Sequence, residues 1–120
     1  MKTYELYLIQ EDIAKAYFGR EYLFFDLFAR FSESGSLSEK KVLYKQMMYI
    51  TMPLQVMKIH HKLEQALRAL GKYDRTHHTH TLFTGAEYGE IIVKPHYIRM
   101  NTSGNVSMER RFLRCFESVN

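Results

Sequence analysis

The spacing of apolar residues along the chain predicts helices in its first part and strands in its second. Residues 4–9 are rich in Tyr, Leu and Ile, which predicts an initial strand covered on both faces. Residues 10–18 predict a short helix that carries acidic residues in its first turn and ends at Gly19. A second helix is predicted from residue 20. Its apolar stripe is typical of a face that lies against the core and consists of Phe24, Leu27, Phe28 and Phe31.

A third helix is predicted to begin at Ser36, because a serine followed three residues later by Glu39 is the pattern of a capping box. Two faces of this helix differ in character. The face that is apolar throughout is predicted to be buried and consists of Leu43, Met47 and Ile50. The neighbouring face mixes polar and aromatic groups, is predicted to be exposed, and consists of Val42, Gln46 and Tyr49.

A fourth helix gives the strongest helical pattern in the sequence. Thr51 is predicted to cap it, with Pro53 tolerated in its first turn because proline has no amide hydrogen to donate. Gly71 ends it. Its apolar positions follow helical spacing and are Val56, Ile59, Leu63, Ala66, Leu67 and Leu70.

The last third of the chain has the pattern of strands followed by one helix. Residues 77–84 alternate and are rich in Thr, and a short turn leads into a hairpin partner at residues 88–93. Residues 96–100 predict a third extended segment. Residues 107–119 then place apolar side chains on one helical face, which predicts a closing helix.

The order of these elements predicts an α+β fold. We expect a single domain of residues 1–120, with one mostly antiparallel sheet, made of the N-terminal strand and a three-stranded C-terminal portion, packed with about five helices. A chain of 120 residues, 46% of them hydrophobic, can bury a core of its own. Cys115 is the single cysteine, and no apolar run approaches the roughly 20 residues that cross a bilayer. We therefore expect a cytoplasmic protein without a membrane contact.

The six histidines are the first candidates for chemistry. His77, His78 and His80 lie together, and on a strand the last two would project from one face, where they could bind a metal ion. A third ligand would come from His60, His61 or His96. Because no recognised ligand spacing accompanies them, a solvated strand rich in His and Thr is the preferred interpretation, and no metal or cofactor is expected.

No pattern of residues indicates catalysis. Cys115 lacks a local nucleophile motif and is interpreted as structural, and the acidic residues are too scattered to form an acid–base pair. We therefore expect neither an enzyme nor a small-molecule substrate. A small metal-dependent enzyme that uses the histidines is the alternative.

Basic residues in the C-terminal helix indicate a different alternative. Arg110, Arg111 and Arg114 lie mostly on one face, Arg99 and Lys94 precede them in the sequence, and the net charge of the chain is +4. Such a face can contact phosphates, although nucleic-acid modules usually combine it with a fold signature that this sequence lacks. A solvated face is therefore preferred, and a nucleic-acid-binding regulator remains the alternative function.

Two short strings connect the chain to a known family. Residues 17–21 read YFGRE and residues 49–53 read YITMP, and their combination in one short sequence is fairly specific. With them the chain resembles the SirA family, the sporulation inhibitors of replication of spore-forming bacilli. Further matches are Tyr7-Leu8-Ile9, Leu27-Phe28, Gln46 and residues 60–63. The resemblance covers about residues 4–70, and beyond them it is weak.

The resemblance implies a protein that acts by binding another protein. SirA-like proteins bind domain I of the replication initiator DnaA and restrain new rounds of replication during sporulation. The binding surface of the family corresponds here to Ile13, Tyr17, Gln46 and Tyr49. Ile13 departs from the family pattern, which has an aromatic residue at this position. The implied mechanism is occlusion of a DnaA surface, without chemistry.

Overall fold

The computed structural model describes residues 2–103 and 106–116 and confirms the α+β class. The elements in chain order are β1 (Lys2–Leu6), α1 (Glu11–Ala16), α2 (Tyr22–Glu33), α3 (Leu37–Ile50), α4 (Val56–Arg68), β2 (Lys72–Thr76), β3 (Thr79–Thr84), β4 (Glu87–Val93), β5 (Ile98–Thr102) and α5 (Val106–Cys115). Contacts divide the chain into two compact units. The sheet unit comprises β1 and the chain from Pro53 onward, and the helical unit comprises residues 7–52. A single domain over residues 1–120 therefore stays a prediction.

The sheet unit contains one five-stranded sheet in the order β1-β5-β4-β3-β2, with every neighbouring pair antiparallel. Short turns join β2 to β3 and β3 to β4, as is usual for antiparallel neighbours. Strand β1 pairs with β5, the last strand within the described residues. One row of side chains crosses the sheet from β2 to β1 and consists of Arg75, His80, Ile91, Met100 and Tyr4.

Helices α4 and α5 pack on the face of the sheet that carries this row and build the core there. Alternate strand residues point to this face, so β4 contributes Gly89, Ile91 and Val93. Gly89 lies directly beneath the ring of Phe112 on α5. The buried apolar cluster consists of Ile59, Leu63, Leu67, Leu82, Ile91, Val93, Ile98, Met100, Met108 and Phe112.

The opposite face of the sheet carries a polar network. The carboxylate of Glu90 accepts a hydrogen bond from Tyr88 Oη at 3.0 Å and another from Asn101 Nδ2 at 2.7 Å. Arg99 donates to the carboxylate of Glu5 on the edge strand at 3.3 Å. The sheet therefore has one apolar face and one polar face, as is common in antiparallel sheets.

The helical unit is built from α1, α2 and α3, and its two longer helices pack against each other. Leu43 and Met47 are buried as predicted, whereas Ile50 is half-buried. The predicted stripe of α2 is half-buried along its length, at Phe24, Leu27, Phe28 and Phe31. Ser36 caps α3 as predicted, since its Oγ accepts a hydrogen bond from the amide of Glu39 at 3.3 Å.

The strand predictions were wrong at both edges of the sheet. Strand β1 ends at Leu6, and it is an edge strand with mostly exposed side chains, not a strand covered on both faces. Residues 7–9 leave the sheet, and Ile9 forms an isolated bridge with Thr51. Strand β2 (Lys72–Thr76) was not predicted, so the C-terminal portion has four strands and not three.

The predicted start of the fourth helix was also wrong. Helix α4 begins at Val56, with Gln55 at its N-cap position, so Pro53 precedes the helix. Thr51 instead closes α3, where its buried hydroxyl donates to the carbonyl of Met47 at 2.7 Å. The predicted end of the last helix at residue 119 lies outside the described residues. Within the described residues, no helix has the length and apolar character needed to span a membrane.

Candidate functional site

The four residues singled out from the sequence lie around one groove of the helical unit. Ile13, Tyr17, Gln46 and Tyr49 all line it, and its volume is about 740 Å³. These residues come from two segments that are about thirty positions apart in the chain. The other residues that line the groove are Leu23, Phe24, Asp26, Leu27, Arg30, Lys45 and Ile50.

The turn after α1 determines where the ring of Tyr17 lies. Tyr17 is the C-cap of α1, and Gly19 adopts the left-handed conformation, with φ +84°, that lets the chain reverse into α2. The ring of Tyr17 packs against Phe24 at a centroid distance of 5.4 Å, and the guanidinium of Arg20 lies 5.0 Å from its centre. Tyr17 is thus held from two sides while 36% of its surface stays exposed.

The end of α3 is tied to the start of α1 by hydrogen bonds from Gln10. The amide of Gln10 donates to the carbonyl of Ile50 at 2.9 Å, and its side chain donates to the carbonyl of Tyr49 at 2.8 Å. The ring of Tyr49 itself is free to contact a partner, since 75% of Tyr49 is exposed. This connection keeps Ile13 and Tyr17 beside Gln46 and Tyr49 on one surface.

The composition of the groove suits recognition of a protein. Two tyrosines and an amide side chain lie among aliphatic side chains, and interface centres favour aromatic residues over charged ones. Three charged residues also contribute: Asp26, Arg30 and Lys45. Among the described residues, no group of three His, Cys, Asp or Glu side chains is arranged to hold a metal ion.

Comparison with known proteins connects this geometry to a family. A family model described as "Sporulation inhibitor of replication protein SirA" matches residues 2–120. The chain belongs to the SirA family. A curated relative, the sporulation inhibitor of replication protein SirA of Bacillus subtilis (strain 168), is 28% identical over 121 residues. That alignment covers 98% of this chain and 81% of the relative.

The SirA match extends further than the sequence strings suggested. The resemblance rested on residues 4–70, whereas the family model also covers the sheet and α5. Residues 4–70 contain all of α1, α2, α3 and α4, so they include every residue that lines the groove.

Sequence reasoning missed the contribution of α2 to the groove of this SirA-family protein. Leu23, Phe24 and Leu27 line it, although the stripe of α2 was interpreted as core alone. The signal was present, because Phe24 and Leu27 are spaced as on one face of a helix. Because Phe24 and Leu27 are only half-buried, they can pack within the helical unit and also line a surface groove.

The structure contradicts the expectation that the His-rich segment is a solvated strand. His80 is 0% exposed, so β3 is not the solvated strand that was expected, and His60 on α4 is 1% exposed. His77 and His78 form the turn between β2 and β3, where His77 adopts φ +53°. Of the three residues considered as a further ligand, His60 lies beside both His78 and His80, and the rings are joined by hydrogen bonds.

Cys115 and the basic residues agree with their sequence interpretations. The thiol of Cys115 is half-buried and donates to the carbonyl of Arg111 at 3.3 Å, and burial raises the pKa of this thiol. A raised pKa disfavours the thiolate and so disfavours a nucleophilic role. Arg110 and Arg114 lie exposed on α5, whereas Arg111 is half-buried.

Proposed function

We propose that this protein inhibits the initiation of DNA replication during sporulation by binding domain I of the initiator DnaA. The contact surface is the groove lined by Ile13, Tyr17, Gln46 and Tyr49, and the protein acts in the cytoplasm without catalysing a reaction. One observation carries the proposal. The four residues that correspond to the family's binding surface come from separate helices and line the same groove.

The mechanism is occlusion of a surface that DnaA needs for its own interactions. Tyr49 and Tyr17 both line the groove, Tyr49 with a mostly exposed side chain and Tyr17 with a partly exposed one. Tyrosine rings supply large contact areas at a low entropic cost, and an amide such as that of Gln46 fixes orientation by hydrogen bonds. An interface of about 800 Å² per partner is within reach of a chain of this size.

Ile13 makes this surface differ from the one expected for the family. Its side chain is half-buried in the groove and replaces the aromatic residue expected at this position in the family. An isoleucine fills less width than a ring and cannot stack. We therefore expect Tyr17 and Tyr49 to contribute more of the binding energy than Ile13 does.

Replacement of either tyrosine by alanine should weaken binding of DnaA domain I from the same organism. We expect Tyr17→Ala and Tyr49→Ala each to cost about 1–3 kcal/mol, a loss of roughly 5- to 150-fold in affinity, because each removes a ring that fills a desolvated contact. Isothermal titration calorimetry on the full chain measures the effect.

Tyr44→Ala is the matched control for that experiment. Tyr44 lies on the same helix as Tyr49 and is half exposed, but it contacts Phe31 and does not line the groove. Its replacement should leave the affinity for domain I within about twofold of the wild-type value. If both groove variants bind as tightly as this control, the assignment of the surface is wrong.

A nucleic-acid-binding regulator is the second candidate, and the exposed guanidinium groups of Arg110 and Arg114 favour it. Contacts to phosphates release counterions, so such binding falls steeply as salt is raised. Titrations at two salt concentrations separate the two functions. Binding of domain I should change little with salt, whereas binding of a DNA duplex through α5 should change strongly and be lost in Arg110→Ala/Arg114→Ala.

A further inference from the structure

Three imidazole rings and one phenol form a continuous hydrogen-bonded chain inside the sheet unit. His60 Nδ1 lies 2.6 Å from His80 Nε2, and His60 Nε2 lies 3.2 Å from His78 Nδ1. At the other end, Tyr73 Oη lies 2.7 Å from His80 Nδ1. We call these four residues the histidine chain. It joins α4, which carries His60, to the hairpin of β2 and β3, which carries the other three.

The two inner rings of the histidine chain are enclosed by the core. On α4, His60 follows Ile59 in the sequence and Leu63 comes three residues later, and both of these apolar side chains are buried. His80 pairs in register with Ile91 of β4. His78 is the exposed end of the chain, so protons from solvent reach the network from there.

The hydrogen-bond pattern limits how many protons this chain can hold. In the neutral state each of its three contacts contains one proton, donated in the same direction along the chain. One extra proton fits this pattern, because each contact still holds one proton when His78 Nδ1 donates to His60, His60 Nδ1 to His80, and His80 Nδ1 to Tyr73. A second extra proton would put two N–H groups opposite each other at a ring-to-ring contact. That contact would then be lost.

The electrostatic environment, like the hydrogen-bond geometry, disfavours extra protons on the two buried rings. Burial, followed by the neighbouring His60, lowers the pKa of His80 to about 4. Burial also lowers the pKa of His60, helped by the charge of Arg75 and by His78. Burial raises the pKa of Tyr73, so its hydroxyl stays protonated and holds its place in the chain.

The charged groups that face the network come from α4 and β2. Arg75 and Glu64 form an ion pair with an N–O distance of 2.8 Å, so their opposite effects on the rings partly cancel. Arg68 lies over the ring of Tyr73, 5.6 Å from its centre. Asp74 neighbours Tyr73 on β2, and β4 contributes the apolar Ile91 opposite His80.

We propose that the histidine chain is an acid-sensitive connection that holds α4 on the β2–β3 hairpin at neutral pH and releases it as the pH falls. The folded histidine chain holds at most one extra proton, whereas the unfolded chain can protonate all three imidazoles. Acid therefore favours unfolding of the sheet unit.

The sign and size of the effect follow from linkage. A histidine whose folded pKa is lowered stabilises the fold fully above its unfolded pKa, and this contribution is lost as the pH falls toward the folded value. With an unfolded value of 6.5 and a folded value of about 4, His80 alone raises the unfolding equilibrium constant about 10-fold at pH 5.5 and about 30-fold at pH 5. His60 adds to this increase.

Urea unfolding of the full chain between pH 7.5 and 5, followed by the NMR methyl signals of Leu63 and Leu82, tests the proposal. The slope of the logarithm of the unfolding constant against pH gives the number of protons taken up on unfolding. This number should be smaller by about one in His80→Gln than in the wild type. The matched control is His61→Gln, because His61 is the exposed neighbour of His60 on the same helix. It should keep the wild-type pH dependence.

A second measurement keeps the proposal testable even if His80→Gln does not fold. In the wild-type chain, the imidazole signals of His80 should stay at their neutral positions down to pH 5 while the sheet unit remains folded. Protonation of His80 near its ordinary pKa in the folded chain would overturn the proposal. An identical pH dependence of unfolding in wild type and His80→Gln would overturn it too.

Discussion

Gly89 illustrates at the residue scale how closely α5 approaches the sheet. A Cβ atom added at this position would lie 2.4 Å from Cζ of Phe112 and 3.0 Å from Cγ of Met108, and both of these residues are fully buried. We predict that Gly89→Ala destabilises the sheet unit by about 1–3 kcal/mol, because the fully buried Phe112 and Met108 must shift to admit the added methyl group. The urea midpoint of the Leu82 methyl signal measures this loss.

Gly35→Ala is the control for the packing argument. Gly35 lies in the loop before α3, and no atom would come within 4 Å of an added Cβ. Its replacement should leave stability within about 0.5 kcal/mol or raise it slightly, because alanine restricts the unfolded chain. Equal losses in the two variants would show that Gly89 matters for its backbone and not for the contact with Phe112.

Single residues also mark where prediction from sequence succeeds and fails. Gln46 and Tyr49 were expected on an exposed face from helical spacing, and both are exposed. His80 was expected on a solvated strand and is buried, where its ring meets the buried His60 of α4. The failure has a physical reason. A polar ring can be buried when its nitrogen atoms have hydrogen-bond partners. Here His60 bonds to His78 and His80, which lie eighteen and twenty positions further along the chain, so no local pattern reveals them.

Helix α3 carries Gln46 and Tyr49, two of the four candidate residues of the groove, and its N-cap affects its stability directly. Ser36 Oγ accepts the amide hydrogen of Glu39 at 3.3 Å and satisfies one of the free donors at the helix start. We predict that Ser36→Ala destabilises the helical unit by about 1 kcal/mol. The thermal midpoint of the helical unit, followed by NMR signals of Leu43 and Met47, measures the change.

Ser32→Ala is the control for Ser36→Ala, because it replaces a serine that is not an N-cap. Ser32 is exposed near the end of α2, where alanine is a good helix former. Its replacement should leave the midpoint unchanged or raise it by a small amount. If Ser36→Ala also has no effect, the hydrogen bond to Glu39 contributes nothing to the stability of α3.

Helix and strand boundaries could be predicted wherever neighbouring residues in the sequence carry a capping or turn pattern. The capping pattern at Ser36, the glycine after α1 and the turn before β4 each locate a boundary from neighbouring residues. Strand β2 was missed because its sequence, KYDRT, is polar, and its half-buried residues alternate on an edge strand. Thr51 was assigned to the wrong helix because threonine suits either end, and only its hydrogen bond to Met47 decides between them.

At the scale of the whole molecule, the α+β class followed from the order of elements, but the strand order did not. Strand β1 pairs with β5, so Lys2 lies opposite Thr102, and no local pattern encodes a pairing over such a distance. Local rules predict hairpins such as β3–β4, since a short turn fixes the register. The groove was predictable because family strings and helical spacing selected the same residues, although its α2 wall was not.

Hydrogen exchange of the whole chain with and without its partner tests where binding takes place. At a concentration of DnaA domain I about 100-fold above Kd, we predict slower exchange in α1 and α3, with protection factors up to about 100, because opening of these helices then requires release of the partner. Amides of β3 and β4 should exchange at unchanged rates, since they belong to the sheet unit. Protection of α5 without α1 and α3 would instead favour a partner that binds through Arg110 and Arg114. No protection in α1 and α3 at saturation would contradict the proposed groove.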